Sequence, residues 1–69
     1  MSIQFSERLQ QLRKEKGLKQ FELAKALNTT QRRISYLENG VVEPDLATLV
    51  SLAIFFEVST DFLLGIKDY

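Results

Sequence analysis

The sequence predicts an all-α fold, a compact bundle of five helices formed by one domain that spans residues 1–69. Two observations predict it. Apolar residues recur three and four positions apart, at Phe5, Leu9 and Leu12 and again at Leu49, Leu52, Ala53 and Phe56. That is the period of a helix with one buried face. Residues that stop or start helices, among them Gly17, Asn28, Gly40, Pro44 and Gly65, cut the chain into five segments. The apolar runs Val41-Val42 and Ile54-Phe55-Phe56 lack the alternation and hairpin turns that a sheet needs.

The first helix is expected over roughly 4–16, stopped by Gly17. The second runs from about Gln20 to Leu27, with Leu23 and Leu27 on one face. Asn28 follows, a residue that tolerates the left-handed backbone of a tight turn. The third begins near Thr30, capped by Thr29 or Thr30, and ends at Asn39-Gly40. Val41 to Pro44 form a loop. Asp45 caps the fourth helix, whose core stripe is Leu49, Leu52, Ala53 and Phe56. Ser59 caps a short fifth helix carrying Phe62, Leu63 and Leu64, and Gly65 ends it.

Composition narrows the functional classes. A chain of 69 residues has a small core, and with no cysteine no disulfide can reinforce it. The absence of histidine and cysteine removes the commonest metal ligands and the commonest general base. There is no Gly-rich phosphate loop, and the acidic residues are dispersed among bases. An enzyme is therefore not expected, and no metal, cofactor or small-molecule substrate is implied. The first residues have neither the basic start nor the apolar stretch of a signal peptide, and no apolar run approaches the length that spans a bilayer. A cytoplasmic protein is expected.

Net charge is zero but unevenly spread. Arg8 to Arg33 hold eight bases against two acids, and Ile34 onward holds one base against six acids. Such asymmetry points to a basic face on a neutral molecule.

The segment from Gln20 to Asn39 has the spacing of a helix-turn-helix. Two short helices crossing steeply need a small residue where their backbones approach, a turn residue tolerant of positive φ, and apolar anchors on the second helix. Ala24, Asn28, and the pair Ile34 and Leu37 stand at those positions. Gln31, Arg32 and Tyr36 then face away from the core, as side chains suited to base edges.

Three stretches carry a wider likeness: Leu12-Arg13-Lys14-Glu15-Lys16-Gly17-Leu18-Lys19-Gln20 followed by Leu23-Ala24, then Ile34-Ser35-Tyr36-Leu37-Glu38-Asn39-Gly40, then Val58-Ser59-Thr60-Asp61-Phe62-Leu63-Leu64. By these the chain resembles the Cro and lambdoid-repressor helix-turn-helix family from about Phe5 to Gly65. The resemblance implies a lambda repressor-like five-helix domain that binds double-stranded operator DNA, usually as a homodimer on a palindrome. It also implies individual roles. Gln31, Arg32 and Tyr36 would meet bases in the major groove, where glutamine pairs with adenine and arginine with guanine. Tyr36 would stack on a thymine methyl or bond a phosphate. Lys19, Gln20, Thr30 and Asn39 would contact the DNA backbone, and Arg33 would reach either a base or a phosphate. Arg13 and Glu38 would form a structural ion pair rather than touch DNA.

One departure weakens the expected grip. Where the family usually places lysine or arginine after Glu38-Asn39-Gly40, this chain has Val41, Val42 and Glu43. A monomer would bind weakly and would gain from dimerisation or from a protein partner. Ile54, Phe55, Leu63 and Ile66 are the candidate dimer residues, with Tyr69 adding apolar surface. The competing expectation is that they simply fill the core. The alternative function is a protein-interaction module, such as an antitoxin or partner-controlled regulator, with DNA binding secondary.

Overall fold

A computed structural model describes residues 4–68. Among them the chain forms five helices and no strand: α1 (Phe5–Glu15), α2 (Gln20–Ala26), α3 (Gln31–Glu38), α4 (Leu46–Phe56) and α5 (Thr60–Leu64). Number and order are those the periodicity predicts, and the ends differ from expectation by about one residue.

Each boundary has a local cause. Thr30, not Thr29, caps α3, its hydroxyl accepting the Arg33 N–H at 3.2 Å. Asp45 Oδ1 accepts from Thr48 N at 2.8 Å to start α4, and Ser59 Oγ accepts from Phe62 N at 3.0 Å to start α5. α2 lacks a capping residue at Lys19. Instead the Glu22 carboxylate reaches back to accept the Lys19 N–H at 2.8 Å, half of a capping box. Asn28 takes the left-handed turn between α2 and α3 at φ 56°. Glu57 does the same at the end of α4, also at φ 56°, where nothing in the sequence marks a left-handed residue.

Leu9, Leu23, Ile34, Leu37, Leu52 and Leu63 are wholly enclosed, and Phe5, Ala24, Leu49, Ala53 and Phe56 complete the core. Each such leucine or isoleucine removed from water stabilises the fold by about 1.5–3 kcal/mol. Leu63 therefore corrects the expectation that placed it at a dimer surface. It is 0% exposed, because the short α5 turns that side chain inward.

The two ends of the described chain lie together. Gln4 N–H donates to Leu64 O at 3.2 Å. Gly65, at φ 83°, sits where a Cβ would come 3.0 Å from that of Gln4, so both backbone angle and space call for glycine. Arg8 extends the seam, donating from Nη1 to the carbonyls of Phe62 at 3.0 Å and Lys67 at 2.9 Å, with its guanidinium 4.3 Å from the Phe62 ring centroid. No helix among the described residues is long and apolar enough to cross a membrane.

Candidate nucleic-acid interface

α2 and α3 pack against each other more extensively than any other pair of helices. Ala24, nearly buried, stands on α2, and Ile34 and Leu37 insert from α3 into the core without exposure. These three residues hold α3 on one side, so its opposite side is carried on a fixed support.

A polar knot holds the far end of α3. Glu38, whose side chain is fully buried, accepts from Arg13 Nε at one oxygen and from Arg13 Nη2 at the other, the latter at 3.0 Å. Arg13 Nη1 also donates to Leu18 O at 2.8 Å. Gln20 Nε2 adds a bond to Glu38 Oε1 at 3.1 Å. One carboxylate thus joins α1, α2 and α3, and no buried polar side-chain atom among the described residues lacks a partner. Gln20, a candidate phosphate contact, is partly committed inward. Its amide nitrogen carries two hydrogens, and this contact uses one.

The outward side of α3 carries the candidate readers. Gln31 and Arg32 are exposed, and Tyr36 is half-buried. Arg32 and Tyr36 meet each other: Nε donates to the phenol oxygen at 2.9 Å, and the guanidinium carbon lies 5.2 Å from the ring centroid. Asn39 Nδ2 donates to Ser35 Oγ at 3.3 Å one turn earlier. Thr30 keeps its hydroxyl hydrogen, since capping uses only the oxygen. Lys19 stands exposed before the start of α2.

Arg33 is drawn elsewhere. Its Nη2 lies 3.9 Å from Asp45 Oδ2, so α3 is tied to the cap of α4 through a carboxylate that also accepts from Thr48. The Asp45 carboxyl is held below its usual 3.8, chiefly by the Thr48 hydroxyl and then the Thr48 N–H, with the Arg33 charge adding to both. Two further bases leave the expected basic face. Arg13 is buried against Glu38, and Arg8 binds the C-terminal end and pairs with Asp68 at 3.2 Å. The sequence counts them as surface charge because it does not show which acids and carbonyls the fold brings alongside.

A second surface emerges on α4. This helix has no charged residue, and beyond its core stripe it presents Leu46, Val50 and Ile54, which are 81%, 49% and 71% exposed. They stand four apart, one line along the outer face. Of the candidate dimer residues, Ile54 belongs to this line and Ile66 is exposed beyond α5. Phe55 is half-buried, with its ring centroid 5.0 Å from that of Phe56 and Lys16 above it at 5.2 Å. Tyr69 lies outside the described residues.

A helix-turn-helix family model matches residues 9–63. The SPbeta prophage-derived HTH-type transcriptional regulator YonR of Bacillus subtilis is 45% identical over 60 residues, 87% of this chain and 56% of that protein. The HTH-type transcriptional regulator ImmR of Bacillus subtilis is 38% identical over 66 residues, 96% of this chain and 51% of that protein. The chain spans about half the length of these relatives. A crystal structure of a transcriptional regulator from Listeria innocua superposes with a TM-score of 0.89 at 40% identity, covering 94% of this chain and 61% of that one. The P22 c2 repressor protein, solved in complex with synthetic operator 9T, superposes with a TM-score of 0.85 at 28% identity, covering 91% of this chain and 96% of that one.

Proposed function

The chain belongs to the helix-turn-helix family of the Cro and lambdoid repressors, and from that premise we propose that it is a sequence-specific transcriptional regulator acting on double-stranded DNA in the cytoplasm. In this reading residues 1–69 serve as a DNA-binding domain, and the protein is a repressor that seats α3 in the major groove of a palindromic operator as a homodimer. The observation that carries the reading is the division of α3. Ile34, Leu37 and Glu38 are buried and bonded on one side, Arg32 and Tyr36 stand on the other, and Gln31 is exposed at the first turn of the helix. A helix so held can carry side chains to base edges without shifting its own axis. Lys19, Gln20, Thr30 and Asn39 serve as backbone contacts, and Arg33 joins them by leaving its pairing with Asp45.

Dimerisation is supported by the outer face of α4. Isolated exposed apolar residues are ordinary on a protein surface, but a helix normally turns polar residues to water. Leu46, Val50 and Ile54 do the opposite, and an antiparallel pairing of two such lines would set Val50 at the two-fold axis with Leu46 against Ile54 of the second copy. The same face also supports the second reading, a regulator controlled by a protein partner that covers it.

A binding selection from random duplex DNA tests the proposal. The expected outcome is a palindrome with half-sites about one helical turn apart. Gln31→Ala and Arg32→Ala should each relax preference at one position per half-site. Recovery of no enriched sequence at low salt would sink the regulator reading.

A further inference from the structure

We infer that Tyr36 sets base preference through Arg32, holding the Nε end of its guanidinium so that the two terminal nitrogens are presented as a fork to guanine. The inference rests on the proposed DNA-binding role of α3 and assigns Tyr36 a positioning task in place of a base contact.

Two restraints act on one guanidinium. The Nε–H is donated to Tyr36 Oη at 2.9 Å, and the planar group lies 5.2 Å from the same ring. Tyr36 is the half-buried partner and Arg32 the exposed one, so the ring is the fixed element and the arginine the one that reaches out. An arginine side chain has five N–H donors. With Nε engaged, four remain, all on the two terminal nitrogens. Guanine offers two acceptors, N7 and O6, on its major-groove edge. Adenine offers N7 as an acceptor but an amino group beside it, so one prong of the fork would meet a donor. Fixing the fork before DNA arrives removes side-chain freedom that a loose arginine would lose on binding.

Charge separates Arg32 from its neighbour. Arg33 faces the Asp45 carboxylate at 3.9 Å, whereas Tyr36 holds Arg32 with a neutral phenol. Tyr36 thus orients Arg32 and leaves its full positive charge for DNA. The phenol oxygen accepts from Arg32, and its own hydrogen is left to donate.

The test compares wild type, Tyr36→Phe, Arg32→Ala and the double variant on duplexes carrying each base at the position that Arg32→Ala relaxes. Tyr36→Phe keeps the ring and removes the acceptor. Guanine preference at that position should fall about two- to tenfold, the value of one lost hydrogen bond. In the Arg32→Ala background the same change should have no effect. An effect of Tyr36→Phe at another position, or one that persists without Arg32, means that Tyr36 reads DNA directly and overturns the inference. So does an unchanged preference. A measurement without DNA stands beside these. The Arg32 Nε–H signal in the nitrogen-15 spectrum should be protected from solvent exchange in the wild type and lose that protection in Tyr36→Phe, and an unprotected wild-type signal also overturns it. Failure of the wild type to select any sequence would be seen before a variant is made, and would remove the DNA-binding reading itself.

Discussion

Arg13 and Glu38, 25 residues apart in the chain, meet as a two-pronged buried ion pair that fixes the end of α3 to α1. Removing one partner leaves the other charge buried without compensation, a loss of about 3–5 kcal/mol. Native domains have net stabilities of only about 5–15 kcal/mol, so Glu38→Ala should remove a large share of the stability and lower the urea midpoint accordingly. Urea titration followed by circular dichroism measures this. Arg13→Met combined with Glu38→Leu should recover part of the loss, because no orphaned charge remains.

Glu57 should prefer to be glycine. Its φ of 56° is a conformation that costs a residue with a Cβ about 1–2 kcal/mol. Greater freedom of glycine in the unfolded chain offsets part of that relief. Glu57→Gly is expected to stabilise the fold by about 0.5–1 kcal/mol, raising the thermal midpoint by about 2–8 °C. A midpoint lower than that of the wild type would contradict this account.

Acid should act through Asp45. Its carboxyl is held below the usual 3.8 by the Thr48 hydroxyl, the Thr48 N–H and the Arg33 charge. A depressed folded-state pKa contributes stability that is complete above the unfolded value and is lost as pH falls through the folded value. The window therefore lies below about pH 4. Asp45→Asn retains a cap but does not titrate, so its stability should fall less than that of the wild type between about pH 5 and pH 2. Carbon NMR of the Asp45 carboxyl should give a midpoint under 3.8.

Val50→Glu probes the outer face of α4. Glutamate is the better helix former, so the circular dichroism of the fold should be unchanged. Sedimentation equilibrium should show the dimer lost, and operator affinity should fall on the order of 100-fold as the second half-site stops contributing. A monomeric wild type with undiminished binding in the variant would assign the face to another partner.

The helices were legible in the sequence because their signals are local. Thr30, Asp45 and Ser59 cap through residues three positions ahead, and the stripe of α4 repeats within one helix. The line of Leu46, Val50 and Ile54 stands at i, i+4 and i+8 beside that core stripe, but spacing within one helix does not show whether another element covers a second apolar line. The candidate site was legible as a set of exposed side chains and not as a set of partners. Gln20 with Glu38, Arg33 with Asp45, and Arg8 with the carbonyls of Phe62 and Lys67 pair across turns or across almost the whole chain, where periodicity carries no information. Leu63 stays open in the sequence between dimer surface and core for the same reason, since a helix of five residues is too short for its period to mark an inward face.

The bonds of Arg8 to Phe62, Lys67 and Asp68 span 54, 59 and 60 residues, nearly the full chain. Closing so long a loop is entropically unfavourable until the intervening helices have folded. This latch is therefore expected to close late in folding and to open early in unfolding. Its strength bears on how slowly the molecule comes apart, and hardly on how fast it assembles. On this expectation the lifetime of the folded domain depends partly on a seam distant from the helix that would read DNA.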